Sequence, residues 1–193
     1  NATDAPQRLN RLIEETGGMD LYLHTSGIGK QNIELLSDIE LQTVETNALG
    51  FTRMIDHVFR HMSKSGGGHI AGISSIAGTK GLGPAPSYSA TKAFQSTYIQ
   101  ALEQLSNARR LGITFTDVRP GFVSTPLIEG SNYPFQLSAE RTAKLIVSAI
   151  KHRRHVAVID WKYRILVFFW RLLPNCIWRR LNLTDKKTDK IAI

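Results

Sequence analysis

Short apolar runs alternate along this chain with longer stretches in which apolar residues recur every three or four positions. Short runs rich in Val, Ile or aromatic residues are typical of buried strands, and the longer spacing is typical of amphipathic helices. The predicted strands are Leu21–His24, Ile70–Ser74, Ile113–Val118 and Val156–Ile159. The predicted helices are Ala5–Thr16, a long helix from about Ile33 to Met62, Ser87–Arg110 and Ser138–Lys151.

Strands that are joined by helices, and that carry apolar residues on both faces, pair in parallel and are covered by helices on both sides. The predicted fold class is therefore α/β, a doubly wound parallel sheet. Ligands of such sheets bind beyond the carboxyl ends of the strands. The residues at those ends are rich in hydroxyl groups and glycine, and they are His24 to Gly27, Ser74 to Gly78 and Arg119 to Gly121.

Length and charge divide the chain into a body and a tail. Its 193 residues suit one well-buried domain. Residues 1–150 hold thirteen Lys and Arg against thirteen Asp and Glu, whereas residues 151–193 hold eleven against three, so the net charge of +8 belongs to residues 151–193. We predict a folded body over residues 1–160 and a basic amphipathic tail over residues 161–193. The body has no basic face interleaved with aromatic residues, so we predict no nucleic-acid partner.

Residues 161–181 combine tryptophan, arginine and apolar residues. The uninterrupted apolar run Ile165–Trp170 has six residues, and about 20 are needed to span a bilayer. This run is therefore too short to cross a bilayer. We expect the segment to cover the ligand cleft of the body or to rest on a membrane surface, or else to pack on the core or on a second subunit. The single cysteine, Cys176, and the lack of an export signal favour a cytoplasmic location.

Tyr88 and Lys92 are candidates for acid–base chemistry. Their spacing of four within a predicted helix places both side chains on one face. A neighbouring ammonium favours the ionised form of a phenol, so Lys92 would make Tyr88 a usable proton donor and acceptor. The pair alone is a weak signal. Its context is Ser75, directly after a buried strand, and Asn47, a helix-breaking residue inside the long predicted helix.

Together with the run from Arg119 to Thr125, these motifs resemble the classical short-chain dehydrogenase/reductase family, over roughly residues 1–150. The resemblance implies a Rossmann-like fold and hydride transfer between NAD(P)(H) and a small-molecule carbonyl or secondary alcohol. It also implies four catalytic roles: Ser75 orients the carbonyl, Tyr88 donates the proton, Lys92 binds the nicotinamide ribose and lowers the tyrosine pKa, and Asn47 holds a water in the proton relay.

The resemblance further implies a set of cofactor-binding residues, namely Ser26, Gly27, Asn47, Tyr88, Lys92, Pro120, Gly121, Val123 and Thr125. It also implies a homo-oligomer that pairs through the helices containing Asn47 and Tyr88. His24 stands where the family usually has asparagine, and we predict a structural role for it. The other histidines are predicted on the surface, and no metal site is predicted. The expected pocket lid, residues 126–136, identifies no substrate.

The glycine-rich turn of the family, Thr-Gly-x-x-x-Gly-x-Gly, has no match in this sequence. We therefore expect a fragment that lacks the first βαβαβ portion of the sheet, where the choice between NAD and NADP is made. Alone, such a chain should bind NAD(P)H weakly or not at all.

Two alternatives to a dehydrogenase remain open at this point. One is a catalytically silent fragment that acts as an interaction or membrane-surface module. The other is an epimerase or dehydratase of the extended branch of the superfamily, which also carries Tyr-x-x-x-Lys. That branch usually needs a larger C-terminal substrate domain than the residues after Ile150 supply.

Overall fold

The computed structural model describes residues 4–125 and 135–183, and within these ranges helices and strands alternate. The first half contains α1 (Ala5–Thr16), β1 (Leu21–His24), α2 (Ser37–Val44), a π-helical turn (Glu45–Gly50), α3 (Phe51–Lys64), β2 (Gly68–Ile73) and a 3-10 turn (Ile76–Thr79). The second half contains α4 (Pro86–Arg109), β3 (Ile113–Arg119), β4 (Val123–Ser124), β5 (Leu137–Ser138), α5 (Ala139–Lys151), β6 (Val156–Val158), α6 (Trp161–Leu172) and α7 (Asn175–Trp178).

The main sheet has the strand order β1-β2-β3-β6, and every neighbouring pair is parallel. The register places His24 beside Gly72 and Ile73 beside Val118, so the strands end at a common carboxyl edge. The short strands β4 and β5 form a separate parallel pair. The predicted fold class, a doubly wound α/β sheet, is confirmed.

Apolar side chains cover both faces of the sheet. One buried cluster joins α3 and α4 to the sheet through Phe51, Ile55, Ile99 and Phe115. A second cluster joins α5 and α6 to it through Val118, Ala149, Ala157, Tyr163 and Val167. Phe115 and Val118 differ in parity along β3, and successive strand side chains point to opposite faces, so the two clusters lie on opposite sides.

Local signals set the bounds of some elements and not of others. Helix α1 has the predicted bounds because Pro6 lies in its first turn and Gly17, with φ of 74°, ends it in the left-handed conformation. The predicted long helix from about Ile33 to Met62 is confirmed from Ser37 onwards, and it contains the π-helical turn Glu45–Gly50, which joins α2 directly to α3. Asn47 lies in that turn and is fully buried.

Strand β2 starts earlier than predicted, at Gly68, and ends before Ser74. The prediction that His69 lies on the surface is wrong. His69 is buried in β2, and its Nε2 atom lies 2.9 Å from the Thr116 hydroxyl on the neighbouring strand. Burial lowers the pKa of His69, and the charge of Arg153 lowers it further.

Helix α6 packs one face on the core. Tyr163 and Val167 are buried in the second cluster, with Leu166 and Trp170 partly buried beside them. The expectation that an apolar face of this segment packs on the core is confirmed for these residues. None of the helices in residues 4–125 and 135–183 has both the length and the apolar character that crossing a membrane requires.

Candidate active site

Asn47 fixes the loop that follows β1 at the carboxyl edge of the sheet. Its Nδ2 donates to the carbonyl oxygen of Ile28 at 2.7 Å, and its Oδ1 accepts from the Ile28 amide at 2.8 Å. The same Nδ2 donates to the hydroxyl of Thr91 on α4 at 3.2 Å. The side chain of Asn47 therefore ties the loop after β1 to α4, which carries Tyr88 and Lys92.

The loop held by Asn47 lies against the ring of Tyr88. A Cβ atom built on Gly29 would lie 2.5 Å from the Tyr88 Cδ2 atom, closer than real Cβ contacts come. Only a glycine therefore fits at position 29 with the ring in this place. Tyr88 is half-buried, and the Lys92 ammonium lies 5.8 Å from the centroid of its ring.

Lys92 is buried beneath the exposed backbone of Gly27. Its Nζ donates to the Ile73 carbonyl at 2.8 Å and to Gln95 Oε1 at 3.0 Å. A Cβ atom on Gly27 would lie 3.4 Å from both Lys92 Nζ and Asn47 Oδ1. Burial lowers the pKa of Lys92 to about 8, and the Asp117 carboxylate partly opposes that shift.

Ser75 follows β2 and begins the 3-10 turn. Its hydroxyl oxygen accepts from the Ala77 amide at 3.1 Å and lies 3.5 Å from the carbonyl oxygen of Pro120. The neighbouring Ser74 has a different environment, since its hydroxyl donates to the buried carboxylate of Asp117, which also pairs with Arg119. Ser75 is thus the serine at the site edge, whereas Ser74 holds β2 to β3.

The segment from Pro120 to Thr125 is held by Tyr163. A Cβ on Gly121 would lie 2.2 Å from the Tyr163 ring, and the Phe122 amide donates to the Tyr163 hydroxyl at 3.0 Å. That hydroxyl in turn donates to the carbonyl oxygen of Phe135 at 3.0 Å. Tyr163 therefore joins α6 to the loop after β3 and to the chain that enters β5.

The remaining predicted cofactor-binding residues follow β1 and β3 at the same edge. Ser26 is exposed after β1, Val123 lies in β4, and the Thr125 hydroxyl donates to the Val123 carbonyl at 3.2 Å. Gly27 lies where an added Cβ would meet both Asn47 and Lys92, and Tyr163 holds the segment from Pro120 to Thr125. Of the expected pocket lid, residues 126–134 lie outside the described residues.

His24 occupies the end of β1 as a buried, uncharged ring. Its Nδ1 lies 3.0 Å from the Tyr22 hydroxyl, and its ring packs edge-on against Phe51. Burial, together with the Lys92 charge, lowers the pKa of His24 to about 4. The ring is therefore neutral near pH 7, as suits a structural role. In residues 4–125 and 135–183, no cluster of His, Cys, Asp and Glu could hold a metal ion.

Two residues that the sequence analysis did not single out belong to this region. Gln95 lies three positions after Lys92 on α4 and contacts both Lys92 and Asn47. The sequence did contain a signal for Gln95, because it is a polar residue on the helix face that bears Lys92. Tyr163 had no such signal, because its partners Phe122 and Phe135 are remote in sequence.

Known proteins share both the sequence pattern and the fold of this chain. An oxidoreductase of uncharacterized function from Myxococcus xanthus is 30% identical over 173 residues, which cover 88% of this chain and 68% of that protein. A 3-oxoacyl-[acyl-carrier-protein] reductase from Vibrio cholerae is 30% identical over 71% of this chain and 54% of its own length. The chain thus spans between about half and two thirds of these relatives.

A solved short chain dehydrogenase from Burkholderia cenocepacia in complex with NADP superimposes with a TM-score of 0.79 at 16% identity, over 93% of this chain and 75% of that one. At that identity the likeness shows the fold. The family described as short chain dehydrogenase matches residues 1–133. That match contains Asn47, Ser75, Tyr88 and Lys92 and covers more than half of the sequence, so the chain belongs to the short chain dehydrogenase family of oxidoreductases.

Proposed function

We propose that this protein transfers a hydride between NAD(P)(H) and a carbonyl or secondary alcohol, with Tyr88 as the proton donor and acceptor. The observation that carries the proposal is the position of the buried Lys92 ammonium, 5.8 Å from the Tyr88 ring centroid and beneath the exposed backbone of Gly27. A buried cation beside a phenol stabilises the phenolate that proton donation leaves behind. Membership of an oxidoreductase family supports the same reaction.

Each site residue has a role that its contacts support. Tyr88 passes a proton to the substrate oxygen during reduction and takes it back during oxidation. Ser75 can donate a hydrogen bond to the substrate oxygen. Its described acceptor, the Pro120 carbonyl oxygen, is 3.5 Å away, so the hydrogen bond that it now makes is weak. Asn47 keeps the loop after β1 in place through its two bonds to Ile28.

The residues present fit a nicotinamide cofactor. Lys92 has three N–H donors, of which the described bonds use two, so a third is left for a ribose hydroxyl. The small, exposed Ser26 and Gly27 let a ligand lie close to the backbone above Lys92. When bound, the cofactor supplies or accepts the hydride. Two solved structures of similar fold contain NADP, which supports this class of cofactor.

The proposal is tested by incubating the purified protein, in the longest form that its gene encodes, with NADH or NADPH and a panel of ketones and aldehydes. We expect substrate-dependent loss of the reduced nicotinamide absorbance with at least one pair. Binding of the reduced cofactor without turnover of any substrate would instead favour the silent interaction module. Two further predictions stay to be tested. Sedimentation would test self-association through the helices that contain Asn47 and Tyr88, and cell fractionation would test a cytoplasmic location.

We further propose that the exposed face of α6 rests on an anionic phospholipid surface. This face carries large apolar side chains at helical spacing, namely Trp161, Ile165, Phe168, Phe169 and Leu172, and each is exposed. Five cations occur between residues 161 and 183, at Lys162, Arg164, Arg171, Arg179 and Arg180, and the same range contains no Asp or Glu. Apolar and aromatic side chains rimmed by cations suit the headgroup region of an anionic membrane.

Co-sedimentation with vesicles tests this contact. We expect the protein to pellet with phosphatidylglycerol vesicles at low salt, much less with phosphatidylcholine vesicles, and to be released by high salt. The double variant Phe168→Ser, Phe169→Ser should weaken binding by about tenfold or more, because each exposed phenyl ring contributes apolar burial. Leu12→Ser is the matched control, since Leu12 on α1 is 55% exposed and Phe168 is 59% exposed.

The absence of pelleting at low salt would overturn the membrane contact, as would equal pelleting of the double variant and the Leu12→Ser control. Concentration-dependent self-association without vesicles, abolished by the same double variant, would show that a second copy of the chain covers this face.

A further inference from the structure

Gln95 joins two predicted site residues through one fully buried side chain. Its exposed fraction is 0%. Its Nε2 donates to the backbone carbonyl of Asn47 at 2.8 Å, and its Oε1 accepts from the Lys92 ammonium at 3.0 Å. Donor and acceptor belong to one rigid amide group, so the position of the Asn47 carbonyl sets the position of the oxygen that holds Lys92.

A buried glutamine is costly unless both ends of its amide find partners, and here both partners belong to the proposed active site. Asn47 lies in the π-helical turn, and Lys92 lies on α4. The amide of Gln95 is therefore a bridge between the element that holds the loop after β1 and the cation that acts on Tyr88.

We propose that Gln95 is a positioning residue for Lys92, which it holds in place and keeps protonated through the hydrogen bond to its side-chain oxygen. The inference rests on the proposed function, because it assigns Gln95 to the proton-transfer apparatus. In the described part of the chain, the buried Lys92 ammonium has two hydrogen-bond acceptors, the Ile73 carbonyl oxygen and Gln95 Oε1. A variant that lacks Gln95 Oε1 leaves the ammonium with one of these two acceptors, the Ile73 carbonyl oxygen.

Within the described residues, three other titratable groups face Lys92. His24 on β1 is neutral near pH 7, because burial and Lys92 lower its pKa to about 4. Asp117 on β3 favours the ammonium but is itself paired with Arg119. Tyr88 on α4 presents its ring at 5.8 Å. Burial lowers the pKa of Lys92 to about 8. A further decrease of this pKa would therefore fall in a pH range that a titration can cover.

The sign of the expected effect follows from which form of Lys92 the bond stabilises. The Gln95 oxygen accepts a hydrogen bond from the ammonium and therefore favours the protonated form. Gln95→Leu keeps a similar volume but removes the acceptor, so the pKa of Lys92 should fall by about one unit or more. Gln95→Glu keeps an acceptor and adds a negative charge, so the pKa should rise.

Two measurements test the proposal in the purified protein. The first is the titration of the Lys92 ammonium by NMR of lysine labelled with ¹³C at Cε, and the second is the pH profile of kcat/KM in the reductive direction. In Gln95→Leu, both the Lys92 titration and the limb of the profile that reports loss of the Lys92 proton should move to lower pH. In Gln95→Glu, both should move to higher pH.

The matched control is Ser106→Ala, which removes another buried hydrogen bond from α4, between the Ser106 hydroxyl and the Ile113 carbonyl. This change should alter thermal stability without moving either pH curve. If both Gln95 variants titrate as the wild type does, the proposal is overturned.

The two proposals fail in different ways. If the wild-type protein shows no turnover with any substrate, the proposed function fails, and the NMR titration still decides whether Gln95 holds Lys92. If Gln95→Leu does not fold, the rise in pKa expected for Gln95→Glu remains a test, and an unchanged or lowered value there contradicts the proposal.

Discussion

Replacing Tyr88 with phenylalanine is expected to lower turnover by about 10²–10⁴-fold, the usual contribution of a positioned general acid. The change removes one hydroxyl and keeps the ring. The contacts of that ring with Gly29 and its position beside the Lys92 ammonium should therefore persist. Cofactor affinity, measured by fluorescence titration, should change little, because the lost group acts on the substrate oxygen.

Tyr98→Phe is the matched control for this experiment. Tyr98 lies on the same helix, its ring packs against Phe51 and Phe94, and burial raises the pKa of its phenol. It has no place in the proposed reaction, so turnover should stay within about a factor of two of the wild type, as expected for a change away from the reacting groups. If Tyr88→Phe kept more than a few per cent of wild-type turnover, another group would have to donate the proton.

Gly29→Ala is expected to lower turnover by about 10²-fold. The added Cβ would lie 2.5 Å from Tyr88 Cδ2 and 2.6 Å from Cε2, about 1 Å short of an ordinary carbon–carbon contact. Asn47 holds the backbone of Ile28 at two points, so the loop yields less readily than the ring does. A displacement of this size at a reacting group costs roughly two orders of magnitude in rate.

Gly83→Ala separates this effect from the general cost of changing a loop glycine. A Cβ on Gly83 meets no atom within 4 Å, so its turnover and thermal stability should match those of the wild type. The measurements are steady-state kinetics and thermal unfolding of both variants. Wild-type turnover in Gly29→Ala would show that the ring of Tyr88 is free to move without consequence, and the proposed geometry of the proton donor would then be wrong.

The sequence predicted those parts of the site whose residues are spaced along a single helix or lie at the end of a single strand. Tyr88 and Lys92 share a helix face because a helix repeats about every four residues, and no other part of the chain is needed to show it. The strand ends were predicted in the same way, because short apolar runs followed by hydroxyl and glycine residues mark the edge of a parallel sheet. In the structure Tyr88 and Lys92 share α4, and the strands end at one carboxyl edge, as these local patterns predicted.

Errors in the prediction arose where a partner remote in sequence determines the outcome. His69 was expected on the surface because polar residues are usually exposed. Its place in β2 instead buries it against Thr116 of the neighbouring strand, 47 positions away. The apolar spacing of the predicted long helix is continuous and gave no sign of its π-helical turn. That turn contains the buried side chain of Asn47, which pairs with Ile28, 19 positions away.

The sequence by itself determined the alternation of strands and helices, and with it the parallel sheet, its carboxyl edge and the Tyr88–Lys92 pair, because each of these follows from periodicity within a short stretch. Only the tertiary structure decided that Gln95 joins Lys92 to Asn47 and that Tyr163 holds the loop after β3. These bonds depend on how separate elements pack, since a buried polar group must take whichever partner the packed neighbours bring within reach, and local periodicity does not specify that partner.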